Sequence, residues 1–284
     1  MWPGFQPRQS NRPHTAGTAC WTGDSVMFGL VSYPVSAIML AGHIAFGWMF
    51  GRDSGLSWLF AVLLLAVVVR LCLLPISWLQ VTSLWRPSGL RATEKPAFPV
   101  LPYAAETTVQ VLVFAGLWHV LSSFDRTGTG VGQPGMTPYE NAHTPNYLFD
   151  ADEVQSFLTA RLFGAPLSVT IGSGTPDLRS FAEYGGMPST GTIVLLAMPL
   201  IVATAVLIAL NEWSSPTREF ARRKVQPAVA LYPICQWMLP ILVLVTGAWL
   251  PIGVLIYLLG TNLFTMVEHR AWAALSDVRH DIRR

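Results

Sequence analysis

The sequence predicts an all-α membrane protein with five transmembrane helices and an additional outer interfacial helix. Two observations of composition predict this class: 52% of the residues are hydrophobic and only 12% are charged, whereas soluble domains have about 25% charged residues. The third observation is a series of apolar runs that reach the roughly 20 residues needed for one membrane-spanning helix.

The N-terminal part is predicted to contain a tail and a helix at the membrane surface. Residues 1–29 are rich in Pro, Gly and Thr and have no apolar core before Cys20, so they indicate neither a cleaved signal peptide nor a lipoprotein box. We expect a disordered extracytoplasmic tail. The next run, 30–51, has small and polar residues at helical spacing: Ser32, Ser36, His43 and Gly47. This stripe favours an interfacial helix on the outer surface over a span.

The remaining apolar runs define the five spans and the segments between them. The predicted spans are 56–79, 100–124, 193–211, 228–249 and 251–270. The last two come from one stretch without formal charge, which Pro251 and Gly253 divide into a hairpin. The connecting segments are a short loop 80–99, a long loop 125–190, a second short loop 212–225 and a tail 271–284.

The distribution of charge predicts the orientation of these spans. Lysine and arginine concentrate in 80–99, 212–225 and 271–284, whereas 125–190 has more acidic residues than arginines. Because short cytoplasmic loops retain positive charge, we expect the long loop outside and the C-terminus in the cytoplasm. The N-terminus is then outside if 30–51 is interfacial.

The long outer loop is predicted to begin with a flexible linker, 127–135, that is rich in glycine. A helix should follow, because Asp150 and Glu153 have N-cap and N3 spacing. Val154, Phe157, Leu158 and Leu162 would line one face of this helix. Gly164 and Pro166 are expected to end it.

Arg70 is the main candidate functional residue, because it is the only charge in the span 56–79. It lies about 21 Å from one end of this span and about 13 Å from the other. A charge at this depth must face protein, water or a polar partner, so it marks a functional-site candidate. The other polar residues noted within spans are Glu106, Thr107, Gln110, Thr204, Gln236, Thr261 and Asn262. For an isolated Thr or Asn, a hydrogen bond between helices is the ordinary interpretation.

Several classes of site are not supported by residue spacing. Three cysteines and six histidines are scattered, so no metal site and no cofactor are predicted. The glycines at 128, 130 and 132 have the wrong spacing for a dinucleotide fingerprint. No catalytic triad or carboxylate pair can be assembled, so we do not expect an enzyme. DNA is not among the expected partners. The tryptophans near span ends, Trp58 among them, are predicted to be interface anchors.

The order of these features resembles the YidC family of membrane protein insertases, in the form without a large outer domain. The resemblance is carried by the run from Tyr33-Pro34 to Phe46-Gly47, the run from Ser57-Trp58 to Val69-Arg70-Leu71, and the run from Val109-Gln110 to His119. It continues with the six residues 162–167 and ends with Leu250-Pro251-x-Gly253, Tyr257 and Asn262. It covers about residues 31–275.

The resemblance implies that the five transmembrane helices surround a polar, water-filled groove that faces the cytoplasm of a bacterial plasma membrane. A client's hydrophilic segment would enter this groove, which lowers the cost of moving polar groups into hydrocarbon. Arg70 would attract acidic or polar client segments, while Thr107, Gln110 and Asn262 hydrate the groove and Tyr257 guides the apolar segment. The implied partners are client membrane proteins and lipid, with the translocon, the ribosome or a larger membrane complex as further candidates.

Two departures from the family pattern leave a second function open. The loop 80–99 is too short for the family's long cytoplasmic hairpin, and Glu106 lies one helical turn from Gln110, where it can pair with Arg70. Such a pair would neutralise the charge that the insertase mechanism uses. The alternative function is therefore a non-catalytic subunit or assembly factor of a larger membrane complex. A small-solute transporter is less well supported, because no inverted repeat is visible.

Overall fold

The computed structural model describes residues 23–84, 100–128, 135–214 and 232–282, and within them it confirms the predicted all-α class. The α-helices are α1 (Gly23–Phe50), α2 (Gly55–Leu84), α3 (Val100–Ser122), α4 (Pro138–Ala142), α5 (Ala151–Thr159), α6 (Thr175–Ser180), α7 (Thr190–Ser214), α8 (Tyr232–Thr246) and α9 (Ile252–Ile282). Short 3₁₀ turns follow α6 and α8. Predictions for residues 1–22, 85–99, 129–134, 215–231 and 283–284 lie outside the described residues.

Five helices in the described part are long and apolar enough to cross a membrane. They are Gly29–Phe50, Gly55–Leu79, Ala104–Ser122, Thr190–Ser214 and Ile252–Trp272. The set includes the run predicted to be interfacial. The described apolar part of the predicted fourth span, Trp237–Trp249, is shorter. By length and composition the chain is a multi-pass membrane protein.

The contacts of α1 lie at one end of the bundle. A Cβ atom on Gly42 would be 2.9 Å from the Cα of Ala61, and one on Gly116 would be 2.8 Å from Val31. Ala61 and Gly116 are each about 9 Å from the nearby end of their own helix. Val31 and Gly42 are about three helical turns apart on α1, yet both contact α2 or α3 near this same end. The helix α1 therefore crosses the end of α2 and α3 and does not run along their length. Its position at the membrane surface stays a prediction, since its length also allows a span.

Three helix boundaries differ from the predictions. α1 begins at Gly23, inside the segment expected to be a disordered tail, and α9 continues to Ile282, through most of the expected tail 271–284. α2 also extends to Leu84, beyond the predicted end of its span. For α9, charged residues end the hydrophobic segment, but the Ala and Arg residues that follow have high helix propensity and allow the helix to continue.

The outer-loop helix α5 has the predicted start and an earlier end. Asp150 accepts a hydrogen bond from the Glu153 amide, and Glu153 accepts one from the Asp150 amide, so the capping box forms. The helix ends at Thr159 and not near Gly164, because the guanidinium of Arg161 donates to the carbonyls of Leu158 and Ala160. Leu162 therefore lies in the following turn, where it pairs with Ala165.

An aromatic core joins α2 to the outer loop. Trp58 is fully buried, and its ring centroid lies 5.0 Å from that of Phe157, 5.7 Å from Phe149 and 3.9 Å from His43. Its indole nitrogen donates to the Ser156 hydroxyl at 3.2 Å. The prediction that Trp58 is an interface anchor is wrong, because its ring packs against these aromatic side chains at the loop end of the bundle.

Hydrogen bonds to backbone atoms hold the rest of the outer loop in place. The guanidinium of Arg126 donates to the Asn141 side chain and to three carbonyls, those of Asn141, Thr144 and Pro145. The Tyr184 hydroxyl donates to the Pro138 carbonyl, and burial raises the pKa of Tyr184 to about 12. This phenol therefore stays protonated and able to donate at neutral pH.

Candidate functional site

The helices form an arc that encloses a cavity of about 730 Å³. α2 packs on α3 and α9, and α7 packs on α8 and α9, so the order along the arc is α8, α7, α9, α2 and α3. All five helices contribute residues to the cavity wall. Every residue predicted for the polar groove lines this one cavity: Arg70, Thr107, Gln110, Tyr257 and Asn262.

Arg70 is held in an ion pair on the cavity wall. Its Nη1 atom lies 3.0 Å from Oε1 of Glu106, and the exposed fractions of the two side chains are 6% and 16%. Gln110 donates from its amide to the same Glu106 oxygen at 3.2 Å. Glu106 and Gln110 are one turn apart on α3, so their side chains lie on the same face. The structure thus forms the ion pair that the sequence allowed, and the paired arginine lines the cavity.

One face of α9 forms a polar side of the cavity. Tyr257, Thr261, Thr265 and His269 recur at every fourth position, and all four line it. Within the described residues, Nδ1 of His269 and Nε of Arg70 are buried without a hydrogen-bond partner. Buried polar atoms usually have partners, so this region is less completely satisfied than an ordinary protein core.

Asn211 connects two walls of the cavity and was missed in the sequence analysis. Its side-chain nitrogen donates to the backbone carbonyl of Asn262 at 2.9 Å and lies 3.3 Å from the Asn262 Oδ1 atom. His269 was missed as well, although its spacing from Thr261 and Thr265 was a usable signal. Thr204 is fully buried but is absent from the cavity wall, and the side chain of Gln236 lies outside the described residues.

The loop end of the cavity is apolar and lies next to the outer loop. Phe114, Trp118 and Trp249 line this part. The amides of Ile252 and Gly253 donate to the carbonyls of Val169 and Leu167, and the Gly172 amide donates to the Ala248 carbonyl. The segment 167–172 is therefore bonded to the start of α9, next to the apolar end of the cavity.

Metal-binding groups do not form a cluster in the described part of the chain. No three His, Cys, Asp or Glu side chains there are arranged to hold an ion. A second, smaller hollow of about 380 Å³ lies at the loop end and is lined by His43, Arg52 and residues of α5. The hydroxyls of Ser57 and Ser156 lie 3.4 and 3.5 Å from the two ring nitrogens of His43, which is consistent with a packing role for this histidine.

Comparison with known proteins identifies relatives in actinobacteria. The chain is 30% identical to the membrane protein insertase YidC of Mycobacterium leprae over 270 residues, which cover 85% of this chain and 69% of that protein. It is 28% identical to the protein of the same name from Mycobacterium tuberculosis, with 85% and 71% covered. The Streptomyces avermitilis relative is 23% identical, with 84% and 56% covered. No protein-family profile and no solved structure matches the chain.

Proposed function

This chain belongs to the YidC family of membrane protein insertases, and from that premise we propose that it inserts client transmembrane segments through the cavity around Arg70. The observation that carries the proposal is a large cavity whose wall combines a buried arginine with amide and hydroxyl groups. The activity is a physical transfer in which no covalent bond is made or broken. The alternative of a non-catalytic subunit or assembly factor is not favoured by the relatives.

The cavity lowers the barrier to moving a client's polar segment into the membrane. A peptide or side-chain polar group costs several kcal/mol when it enters hydrocarbon without a hydrogen-bond partner. Arg70, Thr107, Gln110 and Asn262 present donors and acceptors within the helical part of the bundle, so they replace part of the hydration that the segment loses. In this proposal Tyr257 contacts the client's apolar segment as it leaves toward lipid.

The orientation of this path follows from the charged segments and the position of the outer loop. The bonded segment 167–172 belongs to the acidic outer loop and lies next to the apolar end of the cavity. The basic segments are at the opposite end, which is cytoplasmic under the positive-inside rule. We place the entrance on the cytoplasmic side of the bacterial plasma membrane, with the C-terminus inside and the N-terminus outside. Ribosomes, the translocon or a larger membrane complex would deliver clients there.

A reconstituted system tests this function directly. The purified full chain is placed in vesicles of phosphatidylethanolamine and phosphatidylglycerol, and a small client with one span and a short polar tail is added. Tail protection from external protease measures insertion. We expect protection well above that in protein-free vesicles, a loss of several-fold with Arg70→Ala, and no loss with Arg179→Ala on the exposed outer loop. Equal protection with and without the chain would contradict the proposal, as would an unaffected Arg70→Ala variant.

A further inference from the structure

Glu106 neutralises the arginine charge and is the member of the pair that a client first meets in the cavity. Its carboxylate lies 3.0 Å from the Arg70 guanidinium, so the positive charge is already paired. The Glu106 side chain is 16% exposed and that of Arg70 is 6% exposed. The carboxylate is therefore the more accessible member of the pair, and the guanidinium lies behind it.

Gln110 keeps this carboxylate in position. Its amide donates at 3.2 Å to the same Glu106 oxygen that accepts from Arg70. Two donors on one oxygen hold the side chain in one rotamer, and a charge-assisted bond is stronger than a neutral one. An incoming group that binds to this oxygen must compete with both bonds. The cavity wall also includes a second carboxylate, that of Glu212.

We infer that Glu106 is a specificity-determining residue that makes the cavity discriminate against client segments carrying Asp or Glu and favour their uncharged Asn or Gln counterparts. This inference rests on the proposed insertase function. A client carboxylate meets a like charge in a setting of low dielectric, where repulsion at a few ångströms reaches several times its value in water. A client amide has no charge to be repelled, and it can bond to the amide and hydroxyl groups of the wall. The attraction of acidic segments to Arg70 that the family resemblance implied is thereby reversed.

Two clients that differ only in charge test the inference with the unmodified chain. Their short tails carry either two Asp residues or two Asn residues, and protease protection is measured in vesicles with and without the chain. After each value is corrected for protein-free vesicles, we expect insertion of the Asp tail to be about tenfold lower than insertion of the Asn tail. Equal insertion of the two tails, or preferential insertion of the Asp tail, would overturn the charge selection.

Variants then assign the selection to Glu106. Glu106→Gln should raise the Asp-to-Asn ratio by about fivefold or more, since it removes the repelling charge while preserving shape. The matched control is Glu140→Gln on the exposed helix α4, which should leave the ratio as it is in the unmodified chain. Should Glu106→Gln not fold, the double variant Arg70→Gln with Glu106→Gln removes both charges, and its ratio should also rise. A ratio unchanged in whichever of these variants folds would contradict the role of Glu106.

The same assay separates this inference from the proposed function. Insertion of the Asn tail above the protein-free level shows an insertase whatever the Asp tail does. If neither tail is inserted, the proposed function fails and the inference fails with it. If both tails are inserted equally, the function stands and only the charge selection is lost.

Discussion

The loop end of the bundle and the polar cavity are built from opposite kinds of contact. At the loop end, Trp58 is fully buried among aromatic rings, and the guanidinium of Arg126 donates four hydrogen bonds. In the cavity, the guanidinium of Arg70 makes one hydrogen bond to Glu106, and its Nε atom has no partner in the described part of the chain. Both regions contain an arginine, and the first bonds four of its five N–H groups whereas the second bonds one.

Under the proposed function, this difference separates a stabilising region from the region that receives clients. Tight aromatic packing and satisfied hydrogen bonds at the loop end resist deformation. Incomplete satisfaction of polar groups in the cavity is a cost that the proposed function explains, because functional sites retain groups that optimal packing would pair or remove. The comparison therefore predicts that variants at the loop end reduce stability most, whereas variants in the cavity show coupling between charges.

Removing the Trp58 ring should have the largest effect on stability. Trp58→Ala deletes a fully buried ring and its bond to Ser156, so we expect a loss of about 3–5 kcal/mol in the free energy of unfolding. Unfolding of the purified chain in mixed detergent micelles measures it. Trp48→Ala is the matched control, because Trp48 is 94% exposed and its loss should cost less than about 0.5 kcal/mol. Equal effects of the two changes would show that the aromatic core does not hold the loop end.

The ion pair should show a smaller net effect and a strong coupling. Arg70→Ala leaves the Glu106 carboxylate without its cationic partner, and breaking one side of a buried pair costs about 3 kcal/mol or less at this partial exposure. The double variant with Glu106→Gln should recover much of the loss, giving a coupling energy of about 0.5–3 kcal/mol. The coupling energy is measured by comparing the free energies of unfolding of the unmodified chain, the two single variants and the double variant in the same assay. Additive losses would mean that the pair does not form in the membrane.

The smallest of the three effects concerns the contact between α2 and the outer loop. A Cβ atom on Gly55 would collide with the backbone carbonyl of Arg161, and such overpacking costs about 1–3 kcal/mol. Gly55→Ala should therefore lower stability and increase proteolysis of the outer loop. The control is Gly191→Ala, where the nearest neighbour of a new Cβ is the Ser189 hydroxyl at 3.9 Å. Similar protease sensitivity in both variants would contradict the close approach.

Local features of the fold were predictable where one chemical signal decided them. The capping box at Asp150 and Glu153 depends on residue type and spacing within one helical turn, and it is present. The position of Trp58 was not predictable in this way. A tryptophan near a span end suits the membrane interface, and its burial depends on Phe149 and Phe157, which are distant in sequence.

The candidate site was predictable in its members and not in its geometry. The depth of Arg70 in an apolar run identified it as a site residue, and the family resemblance supplied Tyr257 and Asn262. Asn211 and His269 were missed, since each lies near a span end where polar residues are ordinary. The fact that Glu106 is the more exposed partner of Arg70 required the packing of α2 against α3.

By itself the sequence determined the membrane class, the principal apolar runs and the residue types of the cavity, because hydrophobicity and charge act over a single helix and are written in consecutive residues. Only the tertiary structure decided that α1 crosses one end of the bundle, that the segment 167–172 bonds to the start of α9, and that the Arg70 charge is paired. Each of these depends on which helices lie next to each other. That choice is made by contacts such as Gly42 with Ala61, in which small residues far apart in the chain let two backbones approach.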